Sequence, residues 1–345
     1  MSLVTNVKRF MLLFDFPKIN KHFFIKLVRK HCTAFGSTMV SYFGNDAIES
    51  TNFQKEISKM MHGFGDNPNP NAATVVLVEN IVLQQLRSML QEAQEYSAMR
   101  GAKSISNYDI IFLMRKNNLK LKRLYDYQLK LDQIDKNVVT QGDPINGIIE
   151  DKKDMPKKRR THIDIIQELD EADEVSQITF DSIDFLRKVR ASKITESMPF
   201  DKYEAYFKAR CVSFRAGSTL CKGFVKLEKW INPSKELKIS MPALEVLCFL
   251  AYETVAEIVD AVFLIRQDSK KKSGDPFSKF EGGYFCNPLC LSTSVYIKAG
   301  YEGVPAITVA EVREALRRYF APQSGMNGLF HRNMSMDLPV RYIAL

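Results

Sequence analysis

The stretch Asn71–Asn117, NAATVVLVENIVLQQLRSMLQEAQEYSAMRGAKSISNYDIIFLMRKN, decides how the rest of the chain is read. Between Ala72 and about Met99, the residues Val75, Val78, Val82, Leu86, Met89 and Ala93 recur at steps of three and four. That spacing draws one apolar stripe down a helix roughly 42 Å long at 1.5 Å per residue. Leu77, Ile81 and Leu90 widen the stripe. A helix of this length buries such a face against a partner laid across it, not alone.

The pattern breaks at Arg100-Gly101-Ala102-Lys103. Ser106 and Asp109 then predict an N-cap and a first-turn acid for a short helix through Ile110, Phe112, Leu113 and Met114. Upstream, FQKEISKMMH (53–62) predicts another short helix with Ile57, Met60 and Met61 inward, closed by the loop Phe64–Asn71. Short helix, long helix, short helix is the ground plan of a histone fold, a module that exists in pairs.

The plan recurs. STLCKGFVKLEKWI (218–231) predicts a short helix, and Pro242–Gln267 a second long one with proline at its first position, where no N–H is missed. Its stripe is Leu244, Leu247, Ala251, Val255, Ile258, Val262 and Ile265. From Ala243 to Ile265, 18 of 23 positions are apolar, so this helix needs cover on most sides. Glu253, Glu257 and Asp260 sit near its middle, and at roughly 2.5–3.5 kcal/mol each they argue against a membrane span. Thr308 and Glu311 form a capping box for a last short helix to Phe320, with Val312, Leu316 and Tyr319 inward. The expected fold is all-α, with two histone folds in one chain forming an intramolecular pair across a disordered linker. The long helices should cross antiparallel, and Leu77, Ile81, Val82, Leu86, Met89, Leu90 and Leu113 should meet Leu244, Leu247, Ala251, Val255, Ile258 and Val262.

Around these modules the chain divides as follows. Residues 1–50 are an extension of unknown role, rich in Phe and Lys/Arg with Asp15, Asp46 and Glu49 as its acids. A mitochondrial transit peptide is similarly acid-poor, but that reading conflicts with everything downstream. Residues 53–131 hold the first module and an extra helix, Leu119–Leu131. Residues 132–180 read as a charged flexible linker, whose Lys157, Lys158, Arg159 and Arg160 form a candidate nuclear import signal. Residues 181–320 hold the second module, preceded by helices near 182–190 and 200–210 and interrupted by a 269–304 insertion. Residues 321–345 form a tail without periodicity. The net charge, 49 − 40 = +9, permits nucleic acid or an acidic partner without deciding between them. Six cysteines without paired spacing point to a reducing compartment, and no cleavable secretory signal is evident.

No catalytic constellation emerges, and no metal, cofactor or small-molecule substrate is expected. Cys286 and Cys290 lack a second Cys/His pair at zinc spacing, and Gly282-Gly283 lacks the lysine and hydroxyl of a phosphate loop. For DNA, the loop Phe64–Asn71 has no Lys or Arg, whereas Arg100 and Lys103 lie in the other loop. Such a half clamp allows at most weak non-specific contact. More pointed is a strip on the second long helix. Glu245, Glu253, Glu257 and Asp260 fall within about 120° of each other at 100° per residue. The strip is either a solvated face or a surface for a basic partner.

With these motifs in place, the chain resembles the Spt-three subunit family of the SAGA transcriptional coactivator, which is similar in turn to TATA-binding-protein-associated factors thirteen and eleven. The resemblance rests on 60–66 (MMHGFGD), 74–82 (TVVLVENIV), 100–102 (RGA) and 109–116 (DIIFLMRK) in the first half. In the second half it rests on 209–210, 213–214, Phe224, Trp230, 249–255 (FLAYETV), 274–277 (GDPF) and 314–319 (EALRRY). The resemblance implies a non-enzymatic nuclear coactivator subunit of a SAGA-type histone acetyltransferase complex. It would bind or deliver TATA-binding protein for RNA polymerase II initiation and dock with other histone-fold and scaffold subunits. Alternatives are a subunit of the general initiation factor and a histone-fold DNA-binding factor. Two departures stand out: Ala102 occupies the position where many histone folds pair an arginine with the aspartate of the third helix, and the second module offers Glu311 instead of that aspartate.

Overall fold

The structure, a computed structural model, describes residues 51–140, 161–196, 198–215, 223–269, 304–320 and 342–345. The expectations for 1–50, for Lys157–Arg160, for most of the 269–304 insertion and for Cys286 and Cys290 lie outside the described residues. Among those described, the chain is helical, and no helix is long and apolar enough to cross a membrane.

The first trio is α1 (Gln54–Phe64), α2 (Ala72–Met99) and α3 (Asn107–Met114). Gly65, with φ of 118°, ends α1 in the left-handed conformation that a Cβ disfavours. Asn71 caps α2 by accepting a hydrogen bond from the Ala73 N–H at 2.9 Å. Ser106 and Asp109, expected as an N-cap and a first-turn acid, go further and form a full capping box for α3. Val75, Val78, Val82, Leu86, Met89 and Ala93 are all buried, as their spacing requires, while Leu77 and Ile81 pack at the edge of the core.

After α4 (Asn118–Thr140) come α5 (His162–Leu169), α6 (Glu174–Gln177), α7 (Ser182–Glu196) and α8 (Phe200–Arg210). Part of the stretch expected to be a flexible linker is therefore folded. Helix α4 runs past the expected end at 131, and Ile165, Ile166 and Val175 enter the main core. Short helices with two or three apolar residues leave too little periodicity to be seen against a polar background.

The second trio is α9 (Val225–Ile231), α10 (Met241–Ser269) and α11 (Val309–Phe320). Helix α10 packs on α1, α2, α3, α9 and α11, which explains why it is apolar nearly all round. Phe53, Phe214 and Trp230 close the core beside α9, with ring centroids 5.0–6.0 Å apart. Thr308 and Glu311 cap α11 as expected. Tyr319, expected inward, is partly exposed, yet its hydroxyl donates to the Tyr342 carbonyl at 2.8 Å. The end of the supposedly patternless tail is tied down as well. Tyr342, Ile343 and Ala344 are buried; the Ile343 N–H donates to Gln85 Oε1 at 3.0 Å and the Tyr342 hydroxyl bonds Glu92.

The two trios are joined at both ends of α2. Past its C-terminus, the Ile105 N–H donates to Lys238 O (2.8 Å) and the Ser240 N–H to Ile105 O (2.9 Å), a parallel bridge just before α10. At its N-terminus, Thr74 Oγ1 donates to Ile307 O (2.8 Å), just before α11. The end of α2 thus meets the start of α10, and its start meets the segment beyond α10. The long helices run antiparallel, as the sequence predicts.

Each trio alone would expose its half of this core. Expressed separately, 51–140 and 161–345 should each give a poorly dispersed, aggregating product, whereas coexpression should yield a soluble pair by co-purification. Within the full chain, Leu86→Ala or Leu247→Ala should lower unfolding free energy by about 2–5 kcal/mol in urea titrations.

Candidate functional site: the charged face of the second long helix

The acids singled out on the second long helix do lie together on α10, but three of them, Glu253, Glu257 and Asp260, are largely withdrawn from solvent, while Glu245 keeps 29% of its side chain exposed. Glu253 is 7% exposed. Arg187 on α7 donates from Nη1 to both Glu253 oxygens (3.0 and 3.2 Å) and from Nε to Asp260 (2.6 Å). Arg190, one turn on, donates from Nη1 to Asp260 (2.7 Å) and to the Phe64 carbonyl (3.0 Å). From the other flank, Arg123 of α4 donates to Glu253 (3.1 Å) and pairs with Asp181, while Lys120 pairs with Glu257. Glu245, at the end of the row, approaches His162 Nε2 at 3.4 Å.

At Glu253, Glu257 and Asp260 the strip is therefore not the solvated face that its pattern allowed. The basic partners of these three acids are in this chain. Helices α4 and α7 bring cations spaced by three residues onto carboxylates spaced by three and four, so each arginine spans a helical turn. Burial alone would raise the Glu253 and Asp260 carboxyls, but Arg187, joined by Arg123 and Lys120 at the first and by Arg190 at the second, holds both below the usual carboxylate range. Burial pushes the Lys120 amine down to about 8, against the pull of Glu253. The sequence carried a signal for this partnership: Arg187 and Arg190, three apart on an expected helix. It could not show which helix they face.

Each trio also carries one arginine reaching from the end of its long helix to the acid capping its last short helix. Arg100 grips Asp109 with Nε and Nη2 at 3.1 and 2.9 Å, filling the role that Ala102 cannot. Arg266 grips Glu311 in the same forked way at 2.6 and 2.9 Å, and donates to the Pro305 and Ala306 carbonyls. The substitution of glutamate for aspartate therefore keeps the clasp.

The two loop junctions differ in charge. The junction of 104–106 with 238–240 carries exposed Lys103, Lys235 and Lys238. The opposite junction is built on Asp66, whose Oδ1 accepts from the Ile307 N–H (2.9 Å) and the Asn67 N–H (2.8 Å), while Asn67 Nδ2 donates to Val304 O (2.7 Å). Burial raises the Asp66 carboxyl to about 6 although both N–H groups and Arg266 pull it down.

The comparisons with known proteins follow this architecture. Residues 51–143, spanning the first trio and α4, match the family described as transcription initiation factor IID, 18kD subunit. The SAGA complex subunit Spt3 of Drosophila melanogaster is 26% identical over 84% of this chain and 73% of its own length. Its namesake in Schizosaccharomyces pombe is 23% identical over 79% of this chain and 91% of its own. Transcription initiation factor TFIID subunit 13 of Arabidopsis thaliana is 42% identical, but over 21% of this chain and 56% of its own length.

Two outcomes follow from the geometry. Glu253→Lys should set a cation against Arg187, Arg123 and Lys120 and lower stability by about 3–5 kcal/mol in urea unfolding; an unchanged midpoint would mean that the strip is not internally neutralised. For Asp66, whose carboxyl is raised on folding, stability is greatest below its unfolded value near 4 and is lost as pH climbs through about 6. Asp66→Asn should then be more stable than the parent at pH 7.5, by roughly 1–3 kcal/mol, with the advantage gone near pH 4. Taken together, the chain is similar along most of its length to relatives named SAGA complex subunit Spt3, and its first trio with α4 matches the family of the 18kD subunit of transcription initiation factor IID.

Proposed function

We propose that this chain is a non-enzymatic subunit of a SAGA-type coactivator complex in the nucleus, where it recruits TATA-binding protein to promoters for RNA polymerase II. The observation that carries the reading is that both trios sit in one polypeptide and close on each other. On this reading the second trio is also a histone fold, and the pair is intramolecular. Covalent connection gives each half a high effective concentration of the other, so the chain enters an assembly with its pairing interface already filled. Contacts to other histone-fold and scaffold subunits then fall on the outer faces of the pair. The ion pairs of Glu253, Glu257 and Asp260 with Arg187, Arg190, Arg123 and Lys120 speak against that part of the strip as the contact for TATA-binding protein.

The likeness to relatives named SAGA subunits extends along most of the chain, whereas that to initiation factor subunit 13 covers 73 residues, 21% of the chain. That difference favours SAGA over the general initiation factor. A DNA-binding role is disfavoured: the exposed lysines cluster at one loop junction, the described loop residues at the other carry no Lys or Arg, and Arg100 is held by Asp109. Import through Lys157, Lys158, Arg159 and Arg160 belongs to the same reading.

Affinity purification of the tagged chain from its own cells, with subunit identification by mass spectrometry, tests it. Acetyltransferase and deubiquitinase subunits should co-purify together with TATA-binding protein, and alanine at residues 157–160 should leave the tagged chain in the cytoplasm. Recovery of general-initiation-factor subunits without the acetyltransferase would overturn the SAGA assignment.

A further inference from the structure

At the start of α7 two aromatic rings stand outside the hydrophobic core. Phe180 is 63% exposed and Phe185 47%, and their ring centroids lie 5.5 Å apart. Phe185 sits about 160° around α7 from Arg187, the side chain that faces α10, so the pair is on the outer side. Its surroundings carry one sign of charge. Residues 163–186 hold eight acids and no Lys or Arg, in a chain whose net charge is +9. Two of those acids are neutralised, Asp181 by Arg123 and Asp184 by Lys188. Asp170 accepts from the Glu174 and Val175 N–H groups (2.9 and 2.8 Å) and Glu174 from the Asn118 amide, contacts that bring no cation. Among the described residues Asp170, Glu171, Asp173 and Glu174 therefore have no ion pair, and the last three are exposed. Glu174 and Phe180, six residues apart, are separated by at most about 22 Å, within the span of a short helix.

We propose that this face docks a basic amphipathic helix of a partner protein. The helix lays its apolar side on Phe180 and Phe185 and brings Lys or Arg from its flank to Glu171, Asp173 and Glu174. Charge selects the occupant, because a nucleic acid or an anionic membrane would set phosphates against these carboxylates. Aromatic anchors beside unpaired charges give such a contact both burial and direction. The face is also ordered before any partner arrives. Asp181 Oδ1 accepts from the Ile183 N–H (3.0 Å) and the Asp184 N–H (3.2 Å), Arg123 clamps the same carboxylate, and Arg187 and Arg190 pin α7 to α10. Little conformational freedom is left to lose on binding, which favours affinity from a small patch. The inference holds for whichever assembly the chain enters, and it concerns acids other than those of the α10 strip.

The test is fluorescence anisotropy of a labelled amphipathic helical peptide built from Leu and Lys, titrated with the full chain, beside the same peptide with Glu in place of Lys. Saturable binding of the Lys peptide alone is expected. Neutralising the rim with Glu171→Gln, Asp173→Asn and Glu174→Gln should weaken it by about tenfold. Phe180→Ser with Phe185→Ser should weaken it by about tenfold or more with the rim charges intact. If that double variant loses its helical circular dichroism, Phe185→Ser alone must show the weakening. Absence of saturable binding, equal binding of the Glu peptide, or binding unaltered in the folded variants overturns the proposal. Two further results would overturn it by assigning the face to another occupant. A dimer in sedimentation velocity that the Phe variant abolishes would give it to a second copy of this chain. Peptide binding at least about tenfold tighter after alanine replaces Lys157, Lys158, Arg159 and Arg160 would give it to that basic run of the same chain.

Discussion

Everything in this molecule depends on the mutual burial of the two long helices. Helix α2 is greasy on one face, and Val78, Val82, Leu86 and Met89 have no exposure left once α10 lies alongside. Helix α10 is a central rod instead, contacted from several directions by both trios. At about 25 cal/mol per Å² of apolar surface removed from water, such a shared core dominates whatever local propensity the short helices possess. An interface of this kind, once satisfied within the chain, leaves the molecule free to use its outer faces for assembly.

The ends of the pair are closed by different means. At one junction the backbones of Ile105, Lys238 and Ser240 exchange hydrogen bonds directly. At the other, the Asp66 carboxylate does that work with the Ile307 N–H, inside a pocket that raises its proton affinity. A backbone bridge is indifferent to pH and a buried carboxylate is not, so the two junctions respond differently to acid. Arg100 and Arg266 add the same forked clasp to each trio, and tie the capping acid of the last helix back to the long one.

The layer of ion pairs under α7 adds specificity more than stability. Exchanging a buried ion pair for apolar groups is often neutral or stabilising, whereas removing one partner is severe. Arg187 and Arg190 therefore serve to fix α7 in one register on α10. The same layer withdraws from solvent the acids that would otherwise be the most obvious attraction for a basic partner. It also leaves two buried guanidinium nitrogens, Arg187 Nη2 and Arg190 Nε, without a hydrogen-bond partner in the chain.

How much of this was legible depends on the range of the interaction. The sequence by itself determined the helices whose signals are local: the three-and-four spacing of α2, the stripe and the proline of α10, the N-cap at Ser106 and the capping box at Thr308, and so the repeated plan and its pairing. These follow from backbone hydrogen bonding and side-chain period, which act within a turn or two. The acids at 253, 257 and 260 were equally visible, but their neutralisation was not, because their partners lie 66 to 137 positions away and are found through space. The same holds for Ile165, Ile166 and Val175, and for Tyr342 to Ala344, each too few in apolar residues to declare a face. Only the tertiary structure decided that the charged strip is interior, since a pattern along one helix records its own period and not what is packed against it.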